Sequence, residues 1–325
     1  MATPIGSNVV TAISRHYIMP EIVDNIYNSN PIFFRLNKAN KRIVRGGTQI
    51  EVPLMYSRFG TGGSYSGFDL LNVAPSDTIK NGSWDWKQHY VNVTVDGLTL
   101  IKTDNPQAVA NFIQLYFAQA EMEMAENLAT GLWSDGTTNT KDIDGLRGSV
   151  DDGTILGTYA GLSRSTNTWW KSTLDSATTT LTLSALQSMF GSVSRAGRHP
   201  TIICSRQDQY NRFWNLNVIT QQFPTQPSGM DEQLAQAGFT NQLFNGVPWV
   251  VDSHVPSVTG STTNSHIYFL NEDFLYWAVS PRADFYLEPF QSPVNQDAMV
   301  AKMLWAGNLI NTNCSRHGKM TAITA

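Results

Sequence analysis

Cys204 and Ser205 are the two residues placed best for nucleophilic chemistry. They follow the apolar run "TIIC" at Thr201 to Cys204 and precede the helical pattern "RQDQYNRFWNL". A nucleophile elbow sits at such a strand-to-helix turn, but the flanking glycines of Gly-x-Ser-x-Gly are missing. The six histidines, at 16, 89, 199, 254, 266 and 317, form no spaced group, and none is assigned as a base. Cys314 and His317 have a Cys-x-x-His spacing, yet a structural zinc takes four ligands and Cys204 is the one other thiol. "DIDG" at Asp142 to Gly145 and "DDG" at Asp151 to Gly153 resemble pieces of calcium loops without the closing bidentate glutamate, so acidic turns are expected. Glu121, Glu123 and Glu126 share a helical stretch that carries no histidine and are read as a solvated face. "GTGGSYSG", Gly60 to Gly67, holds four glycines in eight residues. A phosphate loop needs a helix amino terminus after it and a Gly-Lys-Ser/Thr, whereas these glycines lead to Phe68 and Pro75. No catalytic residue, metal or cofactor is expected, and a hydrolase using Cys204 or Ser205 is kept as the rival from another class.

The elements that would position these residues need a core, and 325 residues with 41% hydrophobic and 15% charged supply one. The formal net charge is -4, so the chain lacks the basic excess that carries phosphate-backbone affinity. Any contact with DNA should therefore be local. Arg35, Lys38, Lys41, Arg42 and Arg45 form the basic cluster of the sequence, read either as a DNA-facing interior patch or as a solvated face. Two cysteines give no disulfide framework and fit a reducing compartment. The opening "MATPIGSNVVTAISRHYIMPEIV" has no basic-then-apolar order, so neither a secretory signal nor a membrane partner is expected.

Pro20 followed by Ile22, Val23, Ile26 and Tyr27 predicts a short amphipathic helix before "NSNP". "TQIEVPLMY", residues 48 to 56, alternates with Ile50, Val52, Leu54 and Tyr56 on one side, and Pro53 marks an edge strand. "SWDWKQHYVNVTV", residues 83 to 95, alternates too, with a change of apolar parity between Tyr90 and Val91 that predicts a bulge or a change of packing face. The two runs read as arms of one long hairpin with residues 57 to 82 at its far end. Phe59, Tyr65, Phe68, Leu70 and Leu71 lie near the tip. A two-stranded hairpin carrying so much apolar surface needs a partner to cover it. Asp104 or Asn105 as cap, Pro106 in the first turn, and apolar residues from Val109 to Leu132 predict a helix over 105–134. From about Thr180 helices and strands alternate: "TLSALQSMFGSVSRAG" as helix, and "TIIC", "VPWVV", "HIYFL" and "FLYWAV" as strands. Ser172 to Ser184 reads as a linker, and the run from Ala298 onward as strand with a turn near His317-Gly318. Trp169 and Trp170 in a polar loop are read as a subunit contact.

This order of parts, with the phrases "NPIFFRLNKANKRIVRGGTQIEVPLMY", "ENLATGLWSDG", "DIDGLRGSV", "YAGLSRSTNTWW" and "FNGVPWVVDSHVP", resembles the major capsid proteins of tailed double-stranded DNA bacteriophages, with the Hong Kong 97-type fold. The resemblance implies an α+β chain: an N-terminal arm at 1–45, an extended E-loop hairpin at 46–97, a peripheral domain at 98–177 with its spine helix, an α/β axial domain at 178–268, and a return to the peripheral domain at 269–325. It also implies a structural subunit of pentamers and hexamers in an icosahedral head. Its partners would be other copies of itself, a portal protein, separate scaffolding and decoration proteins, and packaged double-stranded DNA held non-specifically. Arm-like sequence begins within about fifteen residues of Met1, so an internal scaffolding domain is not expected. Lysine-to-asparagine cross-links occur in some relatives; Lys80 and Asn308, Asn311 or Asn313 are not assigned as such a pair. An encapsulin-like nanocompartment shell is the nearest alternative.

Overall fold

The computed structural model describes residues 30–97, 106–220, 242–258, 264–293 and 297–324, those of 106–112 and 217–220 by their backbone. The expected helix at Ile22 to Tyr27 and its Pro20, the caps Asp104 and Asn105, and most of "GSTTNS" lie outside these residues. The chain is α+β. Its helices are α1 (Pro31–Ala39), α2 (Pro106–Leu132), α3 (Leu146–Ser149), α4 (Leu183–Val193) and α5 (Gln207–Thr220). Its strands are β1 (Lys41–Ile43), β2 (Gln49–Met55), β3 (Ile79–Asp85), β4 (Lys87–Asp96), β5 (Thr158–Tyr159), β6 (Leu162–Ser163), β7 (Thr173–Asp175) and β8 (Ile202–Ser205), then β9 (Gln242–Phe244), β10 (Val247–Val251), β11 (Ile267–Leu270), β12 (Leu275–Val279), β13 (Tyr286–Leu287), β14 (Ala298–Asn311) and β15 (Gly318–Met320). Backbone contacts divide the chain into two compact units, and β4, α2 and β14 run through both.

The larger unit holds most of the described residues. Its six-stranded sheet has the order β7-β15-β11-β8-β10-β9. β8 pairs parallel with β10 and antiparallel with β11, and β7 pairs parallel with β15. β8 and β11 are buried along their whole length, which is why "IICS" and "IYFL" read as unbroken apolar runs and not as alternation. Asn245 and Gly246 both have positive φ, the backbone a two-residue β9–β10 turn demands. Helix α4 begins at Thr182, whose side chain accepts from the Ala185 N–H at 3.1 Å, and buries Leu186, Met189, Phe190 and Val193. With Phe213 of α5, Trp249, Ile203, Phe269 and Met320 they form one apolar core. Residues 172–184 are not a bare linker. β7 lies within them, and its partner β15 is 145 positions later in register, Gly318 opposite Thr173.

A second sheet in this unit lays β1 parallel to β12 and β12 antiparallel to β14, with Leu275 opposite Asn311. Helix α2 spans 27 residues, about 40 Å at ~1.5 Å per residue. Ala120, Met124, Leu128 and Leu132, spaced by four, are buried on one stripe. The "DIDG" turn packs directly on the helix end. A side chain at Gly145 would put its Cβ 2.5 Å from the Gly131 carbonyl oxygen and 2.7 Å from that of Leu132.

In the smaller unit, Val91, Val93 and Val95 of β4 are buried and alternate with exposed residues. The Gly97 N–H donates to the Asp297 carbonyl at 3.0 Å, Gln291 and Val300 exchange two backbone hydrogen bonds, and Phe117 packs on Phe290 at 5.6 Å.

Candidate assembly surface

The hairpin is built from β2 and β3, in register from Gln49 opposite Asp85 to Met55 opposite Ile79. The return arm therefore starts at Ile79 and ends at Asp85, and the run 83 to 95 belongs to two strands. The change of parity falls at Trp86 to Lys87, where β3 gives way to β4, and not between Tyr90 and Val91: Lys87, His89 and Val91 share one face while Tyr90 is exposed. The expected cue was a break in apolar residues, and the actual inward face passes through a lysine and a histidine.

The hairpin's base is anchored within its own chain. Ile50, Leu54 and Trp84 join a core with Tyr159, Trp170, Tyr276 and Ile310. Gly82 makes room for the Trp84 ring, since a Cβ there would meet it at 2.8 Å. The Ser83 N–H donates to the Ala160 carbonyl at 3.0 Å. Tyr56 stacks on Trp169 with centroids 5.6 Å apart, and Lys80 reaches over the Tyr56 ring to donate to Asn167 Oδ1 at 2.8 Å. Trp170 is 1% exposed and its Nε1 donates to the Tyr159 carbonyl at 3.1 Å. This corrects the reading of Trp170 as a subunit contact, because its apolar area is already covered by its own chain. Trp169 keeps part of its surface.

The last rung past Met55 is the Tyr56 N–H donating to the Thr78 carbonyl at 3.0 Å. Residues 57–78 contain neither helix nor strand, and Gly60 and Gly67 both take positive φ. Phe59, Tyr65, Phe68, Leu70 and Leu71 are all exposed, with Phe68 and Leu70 as open as in an isolated chain, and Val73 joins them at 90%. Loop shape comes from short bonds: the Ser66 N–H donates to Asp69 Oδ2 at 2.8 Å, and Ser76 Oγ donates to the Phe59 carbonyl at 3.0 Å. The glycines thus serve a bending loop.

The basic cluster does not form one patch. Arg35 is buried and pairs with Glu272 at 2.6 Å, and Lys41 pairs with Asp284. Arg42 lies 4.0 Å over the Tyr276 ring, and Lys38 and Arg45 are exposed. A short helix turned into β1 sends consecutive cations in different directions.

The nucleophile candidates are enclosed. Cys204 is 0% exposed in the middle of the six-stranded sheet, and burial pushes its thiol well above the ordinary range. Ser205, equally buried, donates to the Arg206 carbonyl and accepts from Trp249 Nε1 at 2.8 Å. Cys314 is pushed by burial up to about 11, and His317 is pushed down to about 3, its Nδ1 accepting from the Asn271 N–H. Among the described residues no group of three or more His, Cys, Asp and Glu is placed to hold a metal ion. Among the same residues no helix is long and apolar enough to cross a membrane.

Two polar clusters escape the sequence reading. Asp151 is no simple turn residue. It lies 3.1 Å from Lys319 Nζ and 3.6 Å from Arg164 Nη1, with all three side chains buried. Its Oδ2 also accepts from the N–H groups of Gly153, Ile155 and Leu156. Burial pushes the carboxyl up, but Lys319 and the backbone donors outweigh it and hold it below the usual range. Glu126, read as a solvated face residue, instead accepts from Asn30 Nδ2 at 2.8 Å and meets His254 Nε2 at 2.7 Å. Each set joins residues more than a hundred positions apart, which no local window displays.

The sequence matches no protein-family model and no curated protein. In three dimensions the whole chain superposes on shell subunits. Its fold is the α+β fold of phage capsid proteins, shared with an encapsulin. The capsid subunit of cyanophage A-1(L) matches with TM-score 0.69 at 15% identity, covering 98% of this chain and 100% of that one. The encapsulin SrpI of Synechococcus elongatus PCC 7942, solved as a holo complex, matches with TM-score 0.63 at 11% identity, covering 99% and 96%. The capsid subunit of a native GTA particle gives 0.62 at 10% identity, covering 98% and 100%.

Proposed function

We propose that the chain is the structural subunit of a bacteriophage head: identical copies assemble as pentamers and hexamers into an icosahedral shell around packaged double-stranded DNA. The observation that carries this is the hairpin, fixed by its base to its own core while its tip holds six large apolar residues open to solvent. A second copy is the partner such a surface needs, since burying it returns ~25 cal/mol per Å² before association costs. Phe59, Tyr65, Phe68, Leu70, Leu71 and Trp169 are the contact residues of this reading. The Hong Kong 97-type division into arm, E-loop, peripheral and axial parts at 1–45, 46–97, 98–177, 178–268 and 269–325 belongs to it. So do a portal protein, separate scaffolding and decoration proteins, assembly in a bacterial cytoplasm and a final place in the virion. The role is structural and not enzymatic, in keeping with the burial of Cys204 and Ser205.

The likeness to an encapsulin at a TM-score close to that of the phage capsids supports a second reading, a nanocompartment enclosing protein cargo. Electron microscopy of the purified chain, with sedimentation velocity on the same sample, tests both. Closed shells or capsomer rings are expected, and a monomer persisting at high concentration overturns the assembly reading. A co-purifying protein inside the shells favours the compartment, and nucleic acid inside them favours the head.

A further inference from the structure

The basic run of the sequence dissolves on folding, but three arginines from two distant segments come together elsewhere in the larger unit. Arg195 and Arg198 flank the turn "RAGR", where Ala196 and Gly197 take positive φ and the two arginines exchange backbone hydrogen bonds at 3.1 Å. Arg316, from the turn after β14, donates through Nη1 to the Arg195 carbonyl. The guanidinium carbons of Arg198 and Arg316 lie 5.6 and 5.8 Å from the centroid of one ring, Phe274. Arg195 and Arg198 are exposed and Arg316 half-buried. Among the described residues Asp273, 3.2 Å from Arg198, is the one carboxylate paired with the group. Glu272 beside it is taken by Arg35, and among the described residues neither Arg195 nor Arg316 has an acidic side chain in ion-pair reach. Burial first, and then the neighbouring Arg195 and Arg198, pull the Arg316 guanidinium below its ordinary range.

We propose that Arg195, Arg198 and Arg316 form a contact for the phosphate backbone of double-stranded nucleic acid, an inference that rests on the shell reading above. The whole chain carries a net charge of -4, so its overall field does not attract a polyanion and any attraction must be local. Three planar guanidiniums with one counter-charge are a local excess of cations, and the fork geometry of arginine suits phosphate oxygens. A turn and a single-turn helix reach no base edges, so the contact is independent of sequence.

The test is the salt dependence of binding of a 20-base-pair duplex to unassembled subunits, read by fluorescence anisotropy. Log K should fall linearly with log salt, and Arg195→Gln/Arg198→Gln/Arg316→Gln should lower the slope by about two to three and weaken binding at least tenfold at low salt. Two unrelated duplex sequences should behave alike. Arg195→Gln alone, at an exposed turn position, should lower the slope by about one, and serves where the triple variant fails to fold. An unchanged slope and affinity in a folded variant overturns the proposal. Polyglutamate competing as well as duplex at equal charge also overturns it and assigns the patch to an acidic protein surface. Microscopy of the same variants separates the two readings: shells with no arginine-dependent DNA affinity remove the contact alone, and arginine-dependent affinity without shells removes the shell.

Discussion

His254 Nε2 lies 2.7 Å from Oε1 of Glu126, although the two residues are 128 positions apart in the chain. The contact ties the C-terminal part of α2 to the segment after β10. Asp252 faces the same histidine, its Oδ1 accepting the His254 N–H at 2.9 Å and standing 3.4 Å from Nδ1, while its Oδ2 takes Trp133 Nε1. Asn30 from the start of α1 holds the other Glu126 oxygen. The Asp252 bond raises the His254 pKa above 6.5; burial opposes this, and Glu126 adds to the rise. A histidine whose folded pKa is raised contributes stability that is full below the unfolded value and is lost as pH rises through the folded one. His254→Gln should therefore cost roughly 1–2 kcal/mol near pH 5 and progressively less above pH ~6.5. Melting temperatures of both proteins from pH 5 to 8 check this, and a pH-independent gap would sink the idea.

Asp151 holds two buried cations with one carboxylate. Asp151→Asn keeps the shape and removes the charge, leaving Arg164 and Lys319 enclosed without a counter-ion. Breaking such a buried set costs about 3–5 kcal/mol. Lys319→Met removes one cation and leaves Arg164 its partner at 3.6 Å, so the loss should be smaller. Urea midpoints of the two variants decide the order, and equal losses would show that the charges are not coupled.

The elements legible in the sequence are those with a strong local period. The helix over Pro106–Leu132, the strand Val247–Val251 and the arm Gln49–Met55 follow from apolar spacing, Pro106 and Pro53. What the sequence hides is pairing at long range and burial that is not apolar. β7 looks like linker because its three residues find β15 only in the fold, and the inward Lys87 and His89 of β4 carry no apolar signal. Of the candidate surface, the exposed tip was legible because apolar residues beside turn-forming glycines have no local core. Trp170 was not, since a buried indole and an interface indole look alike until Tyr159 is seen to accept its N–H.

Both thiols should be silent in the native protein. A buried thiol raised above its ordinary pKa has little thiolate at pH 8, and thiolate is the reactive form. A disulfide-exchange reagent should therefore label neither Cys204 nor Cys314 quickly until denaturant is added, when both react. Rapid labelling of Cys204 in folded protein would reopen the nucleophile reading.

Phe68 and Leu70 make no contact that the fold of one chain requires, being open to solvent along their whole side chains. Phe68→Ser/Leu70→Ser should therefore leave the melting temperature of the subunit unchanged. If the tip is the contact between copies, the same substitutions remove apolar area from every interface in the shell. A defect repeated at each contact is multiplied across the assembly, so the concentration needed for shells should rise at least tenfold for each ~1.4 kcal/mol lost per contact. Light scattering against protein concentration measures that threshold. A variant with an unchanged melting temperature and an unchanged threshold would show that the hairpin tip faces solvent in the shell and that copies join through another surface, with partly exposed Trp169 the next residue to replace.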